Sequence, residues 1–254
     1  MSYTKSTMKF KNIWEVSEYH TARYGAPGER RKEKRKITPE VMEKRNQYNR
    51  ERMCRWKLLM YFTKNDYFVT LTFRPKERPP DMAEAKKIFR EFYLKVKKQY
   101  KKRGEELRWI RNIEVGSRGA WHIHMAVNRI QDTDLIIRDA WKYGKVVNQM
   151  LYEKGQFREL AAYLVKTPKT NAALREADYS TSRNMPLPEP EKKIYRHWNM
   201  KEYIEPSDRE SVDADYHIRI PRGFRLDKNS YHEGINPFTG YRYRTYTLIR
   251  SRRE

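Results

Sequence analysis

The sequence has very little cysteine and no long apolar segment. Its single cysteine, Cys54, cannot form a disulfide framework, which favours a reducing compartment. No apolar run approaches the length of a membrane span, and the first residues lack the apolar core of a signal peptide. These absences argue against a disulfide-stabilised secreted domain and a transmembrane protein, and we expect a cytosolic chain that contacts no membrane.

Acidic residues are scarce relative to basic ones, and no nucleoside-triphosphate-binding loop is present. The chain has 56 Lys and Arg against 33 Asp and Glu, which gives a net charge of +23. A charge of this size favours a polyanionic partner, chiefly nucleic acid, and the 13% of aromatic residues can add base stacking. Because no Gly-x-x-x-x-Gly-Lys stretch occurs, a fused P-loop helicase is excluded.

The segment from Arg118 to Asn128 alternates as a β-strand does. Its apolar residues fall on one face, and His122 and His124 fall on the other. The apolar face comprises Trp121, Ile123, Met125 and Val127. Two imidazoles at positions i and i+2 can bind one metal ion, although such a pair can also be ordinary polar residues on a half-solvated strand.

The position of Glu114 depends on the length of the loop after it. A two-residue turn would pair Glu114 with Trp121 and point the carboxylate into the core. A three-residue loop, Ser117–Gly119, pairs Glu114 with His122 instead, and Gly119 suits the left-handed conformation at the end of such a loop. Directly opposed residues have Cβ atoms roughly 5 Å apart. The three-residue loop therefore predicts a divalent-metal site, for Mn²⁺ or Mg²⁺, at Glu114, His122 and His124. The alternative for Glu114 is an exposed strand charge.

Residues 157–166 have the pattern of a short helix that ends before Pro168. Tyr163 and Lys166 are three residues apart, so they share a helix face. A tyrosine hydroxyl beside a lysine can act as a nucleophile towards phosphate with a partner that stabilises charge. Taken alone, the pair is better explained as two ordinary surface residues, because the chain has 19 tyrosines and 56 basic residues.

The three motifs together resemble, in their order and spacing, those of the HUH endonuclease superfamily. The resemblance is to rolling-circle replication initiator (Rep) proteins of bacterial plasmids, phages or integrative elements, and it covers residues 63–170. The first motif is the strand 67–73, with Thr70 and Thr72, and the second is His122-Ile-His124. The third is Tyr163-Leu-Val-Lys166. A single motif tyrosine places the resemblance in the single-tyrosine branch.

The resemblance implies an enzyme that nicks and rejoins single-stranded DNA at an origin or hairpin through a covalent 5′-phosphotyrosyl intermediate. Tyr163 would attack the phosphate, Lys166 would stabilise charge, and a separate host or element helicase would unwind DNA in the bacterial cytoplasm. Weaker candidates for DNA contact are Thr70, Thr72, Arg118, Arg183 and Asn184. The alternatives are a relaxase or single-tyrosine transposase with the same chemistry, and a non-catalytic RRM-like nucleic-acid-binding module.

The order strand-helix-strand-strand-helix-strand predicts an α+β fold with a ferredoxin-like or RRM-like antiparallel sheet. We expect helices on one face of this sheet and a bare face for the substrate. The predicted domains are a basic, mainly helical N-terminal extension at 1–62, a nuclease domain at 63–170 and an irregular C-terminal extension at 171–254. The last segment is expected to pack on the nuclease domain or to contact DNA.

Overall fold

The computed structural model describes residues 3–20, 37–151, 154–195, 210–213, 218–236 and 240–251. Two compact units are formed, one by residues 1–42 with 188–254 and the other by residues 43–187. This division differs from the predicted boundaries at residues 62 and 170. Parts of the predicted extensions, residues 21–36 and 196–209, lie outside the described residues.

The described residues form an α+β fold, as predicted. The α-helices are α1 Pro39–Tyr61, α2 Met82–Lys102, α3 Thr133–Ala140 and α4 Arg158–Leu164. The strands are β1 Tyr3–Lys9, β2 Ile13–Tyr19, β3 Tyr67–Thr72, β4 Trp109–Gly116, β5 Trp121–Val127, β6 Val146–Met150, β7 Leu174–Thr181, β8 Glu191–Tyr195, β9 Glu210–Asp213, β10 Ile218–Pro221, β11 Phe224–Ile235 and β12 Arg242–Arg250. None of the helices in the described part of the chain has the length and apolarity needed to cross a bilayer.

The unit of residues 43–187 is built on an antiparallel sheet with the order β6-β3-β5-β4-β7. The first four of these strands, with α2 and α3, follow the predicted strand-helix-strand-strand-helix-strand order. One sheet face packs on α2 and α3, because Val69, Ile113 and Ile123 are fully buried there beside the apolar stripe of α2. Helix α2 begins where the Asp81 carboxylate accepts a hydrogen bond from the Glu84 amide at 2.8 Å.

The opposite sheet face is not bare, which corrects the prediction. Cys54 and Leu58 of α1 and Leu164 of α4 form a second core with Ile110 and Ala126 of the sheet. Burial of these apolar side chains stabilises the two helices on this face. Helix α1 from Glu43 onwards and strand β7 therefore belong to the same compact unit as the nuclease motifs.

The second sheet face consists of three cross-strand rows whose polarity increases towards the β4–β5 hairpin. The first row is apolar, the second is mixed and the third is polar. They are Phe68–Ala126–Ile110, then Thr70–His124–Asn112, then Thr72–His122–Glu114. The apolar row belongs to the core with α1 and α4, and in the polar row, which we call the open row, Thr72 and His122 are partly exposed. The polarity of the rows thus leaves one end of the face accessible.

The loop after α3 approaches the end of β3 so closely that it requires a glycine. A Cβ atom on Gly144 would lie 2.2 Å from the Thr72 carbonyl oxygen and 2.8 Å from its carbon. Because the obstacle is backbone, we expect Gly144→Ala to lower the free energy of unfolding by about 2 kcal/mol, or roughly 5 °C in Tm, in urea and thermal melts. Gly116→Ala is the matched control, since its Cβ would meet no atom closer than 3.7 Å. Equal stability of the two variants would contradict this packing.

The unit of residues 1–42 and 188–254 contains the sheet β11-β12-β2-β1-β8 and the separate pair β10-β9. The described parts of the extensions are therefore largely strands, whereas a mainly helical and an irregular extension were predicted. The sheet encloses an ion pair: Arg244 Nε lies 2.5 Å from Glu18 Oε2, and the Tyr246 hydroxyl donates to Glu18 Oε1 at 2.8 Å. These bonds satisfy a buried carboxylate that would otherwise destabilise the sheet.

Candidate active site

The β4–β5 hairpin fixes the position of Glu114. The Gly116 amide donates to the Ala120 carbonyl at 2.9 Å, and the Gly119 amide donates to the Gly116 carbonyl at 2.8 Å. Gly119 has a φ of +71°, in the left-handed region that favours glycine. The three-residue loop pairs Glu114 directly with His122, so the predicted register is confirmed.

Four of the predicted site residues are in direct contact. His124 Nε2 lies 2.9 Å from Glu114 Oε1 and 2.9 Å from the Tyr163 hydroxyl oxygen. Lys166 Nζ donates to Glu114 Oε1 at 3.1 Å and lies 2.9 Å from Oε2. On the other side of the imidazole, Thr70 Oγ1 lies 3.1 Å from His124 Nδ1, so this hydroxyl can hold either tautomer of the ring. His122 lies beside the group, with its ring centroid 5.9 Å from that of His124.

Helix α4 is held from both of its ends. At its start, Arg55 donates to the Gln156 carbonyl at 3.1 Å, and at its end Gln47 donates to the Val165 carbonyl at 3.4 Å. Asn112 donates from Nδ2 to the Lys166 carbonyl at 3.2 Å. Two bonds from α1 and one from β4 therefore fix the helix that carries Tyr163 above the sheet.

Tyr163 and Lys166 contact each other, as their spacing predicted, although Lys166 lies just beyond the last residue of α4. The Lys166 ammonium stands 3.7 Å from the centroid of the Tyr163 ring. Tyr163 also meets the edge of His124, with ring centroids 5.0 Å apart, and remains 37% exposed. A phosphate arriving from solvent could therefore reach its hydroxyl.

The surroundings shift the pKa values of three groups. Burial alone would raise the pKa of the Glu114 carboxyl, but hydrogen bonds from His124 and Lys166 outweigh it and hold the pKa below the usual value. Burial, followed by the charge of His124, lowers the pKa of His122. Burial raises the pKa of Tyr163 although Lys166 opposes the shift. At neutral pH the site thus contains a carboxylate, a neutral His122 and a protonated phenol.

The predicted metal ligands share one sheet face, but they do not form a closed ligand set. Among the described residues, no three His, Cys, Asp or Glu side chains are placed to hold a metal ion together. Instead, the Lys166 ammonium stands against both oxygens of Glu114, and Oε2 is buried without a hydrogen bond. A carboxylate oxygen with unused lone pairs beside a neutral imidazole suits a cation, and the ammonium occupies the place of one. The donor types fit a divalent ion once Lys166 withdraws.

The weaker candidates for DNA contact are placed in three different ways. Thr70 contacts His124, and Thr72 lies in the open row, where its hydroxyl donates to the Lys145 carbonyl at 3.3 Å. Arg118 is exposed at the tip of the hairpin. Asn184 donates to the Leu107 carbonyl at 3.2 Å, beyond the far end of β4. Glu114 is further along β4 by roughly 17 Å at the usual rise per residue, so Asn184, and Arg183 beside it, do not join the site.

Three residues near the site were missing from the sequence prediction. Asn112 is fully buried two residues before Glu114, and parity could have placed it on the same face. Phe68 stacks on His124, with centroids 5.8 Å apart and planes 8° apart, and parity also places it on this face. Arg78 is close enough to His122 for its charge to contribute, after burial and His124, to the lowered pKa of that imidazole. No local pattern predicted the position of Arg78, which lies in a loop.

Comparison with known families covers the segment that contains these residues. A family model described as "Replication-associated protein", of the ORF2 type, matches residues 66–168, from just before β3 to just after Lys166. No curated protein and no solved structure matches the chain. Residues 66–168 thus belong to this family of replication-associated proteins, whose members are rolling-circle replication initiators of the HUH endonuclease type.

Proposed function

We propose that this replication-associated protein nicks and rejoins single-stranded DNA at an origin or hairpin, with Tyr163 as its nucleophile. The observation that supports the proposal best is the position of the Tyr163 hydroxyl. This hydroxyl lies 2.9 Å from His124 Nε2, beside the Glu114–Lys166 pair, and its side chain is exposed. A hydroxyl that contacts an imidazole and is open to solvent has the surroundings of an activated nucleophile.

In the proposed reaction, the Tyr163 oxygen attacks the phosphorus atom of one phosphodiester. The bond from phosphorus to the 3′ oxygen breaks, this oxygen takes up a proton, and the 5′ phosphate stays on the tyrosine. Attack by a 3′ hydroxyl reverses the step and rejoins the strand. The phosphotyrosyl bond preserves the ester for this return, so that no nucleotide is needed as an energy source, in keeping with the absence of a P-loop sequence.

The phenol requires help to lose its proton, because burial raises the pKa of Tyr163 further. In this proposal Glu114, His122 and His124 hold Mn²⁺ or Mg²⁺, and a bound divalent ion would withdraw charge from the phosphate and the phenol oxygen. Lys166 then moves from Glu114 to the developing negative charge. Asn112 keeps the Lys166 backbone in place, so only the side chain has to move.

Two rival functions predict different behaviour. An RRM-like binding module needs aromatic side chains on the accessible sheet face, but the open row contains Thr72, His122 and Glu114. A relaxase or a single-tyrosine transposase would perform the same chemistry on another DNA target. The family match favours a role in replication. The cytoplasm of a bacterium as the site of action and a separate helicase as a partner are part of the same proposal.

Covalent capture on DNA of random sequence tests the proposal and does not require the target sequence to be specified. The protein is incubated with a single-stranded random pool in Mn²⁺, and adducts that survive denaturation are isolated, sequenced and mapped by peptide mass spectrometry. We expect adducts in Mn²⁺, none in EDTA, a shared sequence next to the attachment point, and the attachment itself at Tyr163. Absence of adducts, or attachment at another tyrosine, would refute the proposed reaction.

A further inference from the structure

Two loops border the open row at the end of β3. One continues from β3 through residues 74–78, and the other joins α3 to β6 through residues 142–145. Together they contain five cations and one acid, Glu77. We call the five cations the loop rim: Arg74, Lys76, Arg78, Lys142 and Lys145, all of which are exposed.

The two loops are joined into one platform. The Thr72 amide donates to the Lys145 carbonyl at 3.0 Å, and the Arg74 amide donates to the Tyr143 carbonyl at 2.9 Å. The Arg74 guanidinium also donates to the Lys142 carbonyl at 2.6 Å. Between these bonds Gly144 rests directly on the Thr72 carbonyl, where no side chain fits. The loop rim is therefore fixed to the strand that carries the first motif.

Buried aromatic packing holds the platform from below. The Trp141 indole donates to the Thr72 carbonyl at 3.0 Å, and its ring meets Phe73 with centroids 5.0 Å apart. Trp141 and Phe73 both belong to the core of α2 and α3. A charged surface that is already ordered loses little conformational entropy when it binds a partner.

The opposite border of the site is different in character. There Lys166 is committed to Glu114, while α1 and α4 contribute the apolar side chains of the second core. Cations beside the open row are thus concentrated on the β3 and β6 side, and Arg78 acts electrostatically on His122. A polyanion that reaches Tyr163 across the open row would meet the loop rim next.

We propose that the loop rim binds the phosphate backbone of single-stranded DNA and directs the strand across the open row to Tyr163. This inference rests on the proposed function and adds the path of the substrate. Phosphates along a strand are regularly spaced charges, and exposed Lys and Arg side chains neutralise them with release of counterions. Because these contacts are made to the backbone, the loop rim supplies affinity and register without reading the sequence.

The test compares two variants with the same change in net charge. One carries Lys76→Gln, Arg78→Gln and Lys145→Gln in the loop rim. The other carries Lys95→Gln, Lys98→Gln and Lys102→Gln on the exposed face of α2. Binding of a fluorescent single-stranded oligonucleotide is followed by anisotropy in EDTA, so that no cleavage occurs, at salt concentrations from 0.1 M to 1 M.

We expect the loop-rim variant to lower the slope of log affinity against log salt by about 2, since each phosphate contact on single strands contributes about 0.7. This is a loss of about a hundredfold at 0.1 M relative to 1 M salt. The α2 variant should stay within about twofold of the unmodified protein, and circular dichroism should show both folded. Equal losses in both variants, or no loss in the first, would overturn the inference. Failure of adduct formation in Mn²⁺ would instead count against the proposed chemistry, because the binding assay does not depend on it.

Discussion

Tyr163→Phe is expected to abolish the covalent protein–DNA adduct, with a loss of more than about a thousandfold in the rate of adduct formation. The substitution removes one oxygen atom, the one that lies 2.9 Å from His124 Nε2. The phenylalanine ring would keep its contact with the Lys166 ammonium and its edge contact with Phe68. The fold and DNA binding should therefore remain, and anisotropy in EDTA should give the affinity of the unmodified protein.

Tyr48→Phe is the matched control for this experiment. Tyr48 lies on α1 and is 49% exposed, so it is at least as accessible as Tyr163. If accessibility alone selected the nucleophile, the two substitutions would lower adduct formation to a similar extent. We expect full adduct formation from Tyr48→Phe in a denaturing gel. A normal adduct from Tyr163→Phe would disprove the assignment of the nucleophile.

The geometry of the hairpin was predictable because it depends on local rules. Side chains alternate along a strand, and the length of the loop decides which residues face each other. Gly119 indicated a three-residue loop, and that loop length was sufficient to place Glu114 opposite His122. The contact of Tyr163 with Lys166 was predictable for a similar reason, since their spacing is a property of one helical turn.

The covering of the second sheet face could not be predicted from alternation alone. A strand pattern shows that Phe68 and Ala126 are apolar on the face of the histidines, but it does not show which helix buries them. Cys54 of α1 is distant from Ala126 in sequence, and its contact with the sheet depends on tertiary packing. The strands of the extensions present the same difficulty, because Tyr19 pairs with Tyr243 across most of the chain.

The pairing of Lys166 with Glu114 is also a tertiary effect, and it changes the expected metal chemistry. The motifs predicted separate roles for the two residues, Lys166 as a phosphate contact and Glu114 as a metal ligand. In the structure the ammonium neutralises the carboxylate that the metal would need. The two side chains are 11% and 9% exposed, so the attraction between them is only weakly screened by water. A metal ion must therefore compete with Lys166 for Glu114.

This competition allows a sharp test of Glu114 as a ligand, through the binding of Mn²⁺. Glu114→Gln keeps the shape of the side chain but removes its charge, so it loses both the ligand and the ion pair. We expect Mn²⁺ affinity to fall by about a hundredfold or more, as a ligand contributes at least as much as the groups that orient it. Free Mn²⁺ is measured by electron paramagnetic resonance, independently of cleavage, and adduct formation should be lost in the same variant.

Lys166→Met is the matched control, because it breaks the same ion pair and leaves the carboxylate in place. Removing one partner of a buried pair costs about 3 kcal/mol, so both variants should unfold at lower urea concentration at pH 7. The carboxyl pKa lies below 4.5 in the folded protein, so this stabilisation is present above pH 4.5 and is lost as the pH falls through the folded pKa. Only Lys166→Met should retain Mn²⁺, with an affinity equal to or tighter than that of the unmodified protein, since its competing ammonium is gone. An equal loss of Mn²⁺ from both variants would mean that Glu114 acts through the ion pair rather than as a ligand.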